Sequence, residues 1–88
     1  MYTEIFEIEF QAPGEVERYI TFELWVKGMW TMEEIGGGDM RECLVIEERE
    51  FEDGKFSTDD QVLIQNWINA NDKAIFEMFK ERIKKYED

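Results

Sequence analysis

Apolar and acidic side chains alternate strictly near the start of the chain. Within residues 4–10, Phe6 and Ile8 are flanked by Glu7 and Glu9. A period of two residues is typical of a β-strand with one buried and one solvated face. The pattern therefore predicts a first strand over residues 4–10, with these glutamates directed toward solvent.

A second alternation follows a Pro-Gly pair, which is a turn signal. Ile20, Phe22, Leu24 and Val26 recur at every second position within residues 16–27. We expect this second strand to pair antiparallel with the first, because the connection between them is short.

The pattern is ambiguous over residues 28–35. A capping box that begins at Thr31 fits one helical turn, whereas the Met-Trp-Thr-Met run equally fits an extension of the second strand. Three consecutive glycines at 36–38 then predict a flexible loop. Residues 42–51 are predicted to form a third strand, half-buried at its start and solvated at its end. An Asp-Gly pair after that strand signals a tight turn.

The last third of the chain carries helical signals. Thr58 is a candidate N-cap, with a glutamine three residues later and two aspartates in the first turn. Apolar residues recur at helical spacing as far as Tyr86, although a polar stretch at 69–72 interrupts them. Asn71 or Asp72 is a candidate cap of a second helix. One kinked helix and two separate helices both fit the sequence.

The order of the elements, strands first and helices afterwards, predicts an α+β fold. We expect a small N-terminal antiparallel sheet of three to four strands packed against one or two C-terminal α-helices. These elements are expected to form a single acidic domain over residues 1–88. A compact domain of this length has a radius of gyration of about 12 Å and spans roughly 30 Å.

The composition leaves little room for catalysis. The chain has no histidine, one serine and one cysteine. Without histidine the usual proton shuttle near neutral pH is missing, and neither Ser57 nor Cys43 has an imidazole to activate it. Cys43 is expected to be an inert core residue, and a lone cysteine excludes an internal disulfide and a Cys/His zinc site. We therefore expect a protein that is not an enzyme and has no catalytic residues, metal or cofactor.

Negative charge is the strongest signal in the composition. The chain contains 22 Asp and Glu against 10 Lys and Arg, for a net charge of −12. Nucleic acids and anionic membranes repel such a chain, so the expected partner is a basic protein surface. No apolar run is long enough to span a bilayer, and the N-terminus lacks the features of a signal peptide. The expected location is the cytoplasm.

The acidic residues concentrate on the predicted strands and on the segment 47–60 that leads into the helical region. Alternate glutamates on one strand lie about 6.7 Å apart and point the same way, so a ladder of them resembles a row of phosphates. Trp25 and Trp30 add the kind of aromatic surface that protein interfaces favour. The candidate partner-binding residues are Glu7, Glu9, Glu23, Trp25, Trp30, Glu47, Glu48, Glu50, Glu52, Asp53, Asp59 and Asp60.

These features predict a non-catalytic module that occupies a basic surface of a partner protein. If the partner is a nucleic-acid-binding enzyme, the module is a nucleic-acid mimic and an inhibitor. Phage-borne inhibitors of restriction and CRISPR enzymes are similar in size and charge. The alternative is a structural or assembly module, such as a homodimer, in which acidity only maintains solubility and a sheet edge or Met/Trp patch pairs with a second copy. Salt separates the two, because charge-driven complexes weaken as salt rises.

Overall fold

Three strands precede two helices in this chain. The structure is a computed structural model that describes the backbone of residues 1–87 and the side chains of residues 1–84. In chain order the elements are β1 (Tyr2–Gln11), β2 (Tyr19–Glu34), β3 (Met40–Glu50), a 3-10 turn (Asp53–Lys55), α1 (Thr58–Ala70) and α2 (Asp72–Glu87). The predicted α+β fold, a small antiparallel sheet followed by C-terminal helices, is confirmed.

The strands form one antiparallel sheet in the order β1-β2-β3. The whole of β1 pairs with β2, from Tyr2 opposite Gly28 to Gln11 opposite Tyr19. Both helices pack on the face formed by the even-numbered residues of β1 and β2, because the alternating apolar residues there need cover. The buried core consists of Phe6, Ile8, Ala12, Ile20, Phe22, Leu24, Val26, Leu44, Ile64, Ile68, Ile75, Phe79 and Ile83.

β2 differs from the predicted second strand at both of its ends. It begins at Tyr19 and not at residue 16, since the connection from β1 continues further than the alternation suggested. In that connection the Ala12 N–H donates to the Arg18 carbonyl at 2.8 Å. At the other end β2 continues to Glu34, so residues 28–34 form strand and the alternative helical turn does not form.

The hairpin formed by residues 29–45, which we call the arm, extends beyond the end of β1. Its tip turns through Gly36, Gly37 and Gly38, which all have positive φ angles that glycine adopts without a steric penalty. Every residue from 31 to 42 is exposed. The arm makes the molecule long: the radius of gyration is 16.1 Å and the extents are 55 × 26 × 21 Å. The expected compact span of about 30 Å was therefore wrong.

Gly28 lies where the arm leaves the helix-covered part of the sheet. A Cβ atom there would lie 2.6 Å from Cε1 of Phe79 and 2.7 Å from the Val45 carbonyl oxygen. Glycine therefore lets α2 pack directly on the backbone of β2. The register of β3 shifts at the same level, opposite Lys27 and Gly28, and leaves Glu47 without a partner residue in β2.

Asn71 separates the helical region into two helices. Its Nδ2 donates to the Trp67 carbonyl at 2.8 Å, while its own carbonyl accepts the N–H of Ile75 at 2.9 Å. The same residue thus ends α1 and leads into α2. Tyr86, which the helical pattern included, lies outside the described side chains.

The prediction that Thr58 caps α1 was wrong by one residue. Ser57 is the N-cap, in an extended conformation, and its hydroxyl accepts the N–H of Asp60 at 3.2 Å. Both residues are suitable capping types, and the cap falls on Ser57 because the helix begins one residue earlier than the apolar pattern suggested.

Candidate functional site

The sheet face that points away from both helices collects half of the candidate partner-binding residues. We call it the open face. It contains the odd-numbered residues of β1 from Thr3 to Glu9 and of β2 from Thr21 to Met29, together with the β3 residues that lie opposite them. Its members are Thr3, Ile5, Glu7, Glu9, Thr21, Glu23, Trp25, Lys27, Met29, Val45, Glu48 and Glu50.

The strand register brings acidic and apolar side chains of the open face together. Glu7 lies directly opposite Glu23, and Ile5 lies opposite Trp25. On its other side Trp25 lies opposite Glu50. Directly opposed residues on one face have Cβ atoms about 4.5–5.5 Å apart, so a Trp–Ile contact borders a row of carboxylates. The two apolar side chains remain open to solvent, Trp25 at 37% and Ile5 at 43% exposure.

Few cations offset the carboxylates of the open face. Lys27, its one basic member, has its Nζ 3.5 Å from a carboxylate oxygen of Glu48. Among the described side chains, no lysine or arginine is within ion-pair distance of the remaining glutamates of this face, which are Glu7, Glu9, Glu23 and Glu50. Like charges held opposite each other reduce stability, so this part of the surface favours an incoming cation.

Trp30, Asp59 and Asp60 lie away from the open face. Trp30 is on the helix side of the sheet, partly buried against the core, and its indole N–H is buried without an acceptor among the described residues. Asp60 is already engaged: its carboxylate accepts two hydrogen bonds from Arg18, at 3.0 and 3.2 Å. This pairing raises the pKa of Arg18 above its ordinary value, chiefly through the hydrogen bond. Asp59 lies in the exposed first turn of α1.

The remaining candidates follow the end of β3. Glu52 is paired with Lys55 at 3.1 Å, and both line a shallow cavity of about 190 Å³ together with Glu7 and Glu23. Glu52 therefore continues the acidic surface past the end of the open face. Asp53 begins the 3-10 turn, and Glu47 is the exposed extra residue of β3.

Apart from Trp25, the candidate residues did not include the apolar part of the open face. Ile5, Met29 and Val45 are all 38% exposed or more, and Met29 lies opposite Val45. The alternation already contained the evidence for them, because each of these three apolar residues occupies a position on the polar face of its strand. Only the register between strands shows that Ile5 lies in one row with Trp25 and that Met29 lies in another row with Val45.

Cys43 was expected in the core, but it lies on the arm. It is partly exposed, opposite Thr31, on the open-face side of the hairpin. A hydrogen bond with Glu33, then partial burial and the charge of that carboxylate, raise the pKa of the thiol above its ordinary value. The thiolate is the nucleophilic form of cysteine, so this environment reduces its reactivity.

Within the part of the chain that the structure describes, no three acidic or thiol side chains cluster closely enough to hold a metal ion. No helix of that part is long and apolar enough to cross a membrane. The arrangement that remains is a row of carboxylates around exposed Trp and Ile side chains, which is suited to binding a surface that is both basic and apolar.

Comparison with known proteins adds no assignment, since no protein-family model, no curated protein and no solved structure matches this chain.

Proposed function

We propose that this chain is a non-catalytic protein-binding module whose open face occupies a basic surface of a partner protein. One observation carries the proposal: unpaired carboxylates surround exposed Trp25 and Ile5 on a sheet face that no helix covers. Desolvated charge pairs and an aromatic anchor are what strong interfaces combine. The net charge of −12 also steers a basic partner toward the molecule.

A narrower version of the proposal makes the module a nucleic-acid mimic that inhibits a nucleic-acid-binding enzyme. The long shape qualifies this version. Twelve net charges over 55 Å amount to about one charge every 5 Å, whereas duplex DNA carries one per ~1.7 Å of its axis. Mimicry therefore has to be local, through the rows around Glu7 and Glu23 and not through the average charge of the molecule.

The test compares two variants with the same change in charge. The partner is first captured from lysate of the source organism at low salt, released with salt and identified by mass. Its affinity is then measured by calorimetry for the wild type, for the open-face variant E7K/E23K/E50K and for a control, E15K/E34K/E42K. We expect the open-face variant to bind at least tenfold more weakly and the control to change by less than threefold.

Equal losses in the two variants would overturn the open face as the binding surface. The mimic version has its own test, since a duplex or single-stranded oligonucleotide has to compete for the same partner. An oligonucleotide that binds alongside the module would exclude mimicry and leave the binding module in place.

A second candidate function is self-assembly through the arm, as a homodimer or structural module. The observation that favours it is the helix side of the arm, where Met32 and Met40 are 54% and 53% exposed beyond Trp30. An uncovered apolar face is a common interface signal. Sedimentation from 10 µM to 1 mM in high salt tests it: a concentration-dependent dimer that M32E/M40E abolishes would establish this function, and a monomer throughout would exclude it.

A further inference from the structure

The outer edge of β1 is long and regular. In a sheet ordered β1-β2-β3, no described strand lies beyond β1, so every second residue directs an N–H and a C=O outward. Its ten residues pair with β2 without a register shift and include no proline or lysine. Proteins commonly protect edge strands with a register shift, proline, lysine or an inward-facing charge, and of these β1 has only the inward-facing Glu4. The opposite edge, β3, has a register shift and two arginines, so β1 is the edge better suited to accept another strand.

A groove runs along this edge between β1 and α2. Its volume is about 830 Å³, which is room for an extended peptide segment. One wall is α2, and the other is the edge of β1 itself. The lining residues are Phe6, Glu7, Ile8, Glu77, Met78, Glu81 and Arg82. We call it the edge groove.

The charges of the edge groove favour a basic occupant. Three carboxylates line it against one cation, Arg82. That cation is already engaged, with Nη1 3.4 Å from Oε2 of Glu4 and its guanidinium 4.9 Å from the centre of the Phe6 ring. Glu81 has Lys84 within 3.4 Å, which leaves Glu7 and Glu77 without a cation among the described side chains.

Glu4 supplies a second, independent observation. It is only 6% exposed, yet its Oε1 is buried with no hydrogen-bond partner among the described residues. Its other oxygen pairs with Arg82, which lines the groove. A buried acceptor without a donor is unfavourable, and a Lys or Arg side chain entering beside Arg82 would supply that donor.

We propose that the edge groove binds an extended, basic segment of the partner as a fourth strand of the sheet. The segment adds main-chain hydrogen bonds to β1, directs basic side chains to Glu7 and Glu77, and places one donor at Glu4. This is strand addition, a recurrent mode of peptide recognition. It rests on the proposed function in one respect, because the segment belongs to the same basic partner.

A second copy of the chain is the less suitable occupant. Antiparallel pairing of two β1 edges brings Glu7 and Glu9 of each copy into the same short stretch of sheet, and each chain has a net charge of −12. Like charges across strands are destabilising, whereas a lysine-rich strand would reverse the sign of every one of these contacts.

The test uses the full-length, ¹⁵N-labelled chain in 0.1 M salt and a blocked eight-residue peptide of alternating lysine and valine. At this salt concentration, charges of the open face and charges of the groove that lie more than about 10 Å apart are largely screened from each other. We expect chemical-shift changes in β1 and around Glu77, together with slower hydrogen exchange of outward-facing β1 amides. A peptide of identical sequence with N-methyl groups along one edge should bind at least tenfold more weakly.

Variants of the chain locate the site. E77K/E81K should weaken peptide binding at least tenfold, while E34K/E42K, with the same charge change on the arm, should change it by less than threefold. E4Q should weaken binding measurably, and circular dichroism with a melting curve shows that each variant remains folded.

Each outcome separates this inference from the proposed function. Equal binding of the N-methylated peptide, no binding, or shifts confined to Trp25 and Glu50 would overturn strand addition and leave the open-face proposal intact. Peptide bound in the groove, with partner affinity unaffected by E23K/E50K, which leaves Glu7 of the groove in place, would support strand addition and refute the open face. A dimer that pairs through β1 would replace the partner segment with a second copy.

Discussion

The two faces of the sheet are built from the same strands and differ in almost every respect. On the helix-covered face, Leu24 and Val26 are completely buried, and α2 packs on the backbone at Gly28. On the open face, Glu7 stands opposite Glu23 and Trp25 remains exposed. The covered face lowers the free energy of the folded chain by burying apolar surface. The opposed carboxylates and the exposed tryptophan of the open face both reduce the stability of the isolated chain. Both become favourable in a complex with a basic, partly apolar partner.

The largest expected effect is on the free energy of unfolding. It appears when side-chain deletions of equal size are compared on the two faces. Leu24→Ala and Ile5→Ala each remove three carbon atoms. Leu24 is 0% exposed, so its loss should lower the free energy of unfolding by about 2–5 kcal/mol, through lost burial and a cavity. Ile5 is 43% exposed, and we expect about 1 kcal/mol there. Urea denaturation measures both, and equal losses would mean that something covers the open face in solution.

A smaller loss of stability is expected from a substitution at the contact between α2 and the sheet. Gly28→Ala places a Cβ within 2.6 Å of the Phe79 ring and 2.7 Å of a backbone oxygen, and overpacking of this kind destabilises by about 1–3 kcal/mol. Gly54→Ala is the matched control, because no atom lies within 4 Å of its added Cβ. The control should stay within about 0.5 kcal/mol of the wild type. A neutral Gly28→Ala would show that α2 moves easily on the sheet.

The covered face could be predicted from the sequence and the open face only in part. Alternation identified Phe6, Ile8 and Leu24 as one buried face, because a period of two is a local property of each strand. It did not show that Glu7 lies opposite Glu23, because the register between strands depends on the connection and on the core beneath. The residues that lie opposite a glutamate of the open face depend on the register between strands. The sequence pattern within one strand carries no information about that register.

The arm and the edge groove could not be predicted for a similar reason, because both depend on contacts between residues that are far apart in the chain. Residues 28–35 were ambiguous because strand and helical turn both satisfied the local pattern, and the pairing of residues 28–34 with β3 decided between them. The groove depends on Glu77 and Arg82 of α2 reaching the edge of β1. Those residues are more than seventy positions from Glu4, and their helical pattern carries no information about which strand the helix packs on.

The open face should gain stability when its carboxylates are separated. Glu23→Lys converts a directly opposed pair of like charges into an opposite pair with Glu7, and we expect a gain of about 0.2–1 kcal/mol. Glu34→Lys, opposite Met40 on the arm, gives the same change of charge without that cross-strand partner and should gain less. Urea denaturation in 0.05 M and 0.5 M salt measures the difference, which has to shrink as salt rises. An unstable Glu23→Lys variant would contradict the arrangement.

The smallest expected effect concerns the ionisation of Cys43 on the arm. The thiol pKa is raised in the folded chain, mainly by the hydrogen bond with Glu33, so the protonated thiol is the favoured form. The stabilisation from this contact is present below the pKa of the unfolded thiol and is lost as the pH rises through the folded pKa. Because the thiolate is the form that reacts, alkylation by iodoacetamide should reach half its maximal rate at higher pH in the folded chain than in urea.

Glu33→Gln should lower the thiol pKa and shift that alkylation midpoint downward, while Glu34→Gln, on the helix side of the arm, should leave it in place. An identical midpoint in the wild type and Glu33→Gln would mean that the contact between Glu33 and Cys43 does not persist in solution. The result bears on the comparison of the two faces. On the covered face, burial fixes the environment of each side chain. On the arm, the environment of Cys43 depends on its contact with a neighbouring carboxylate. If that contact holds, Glu33, the carboxylate on the open-face side of the arm, is ordered before any partner arrives, and binding there needs less rearrangement of side chains.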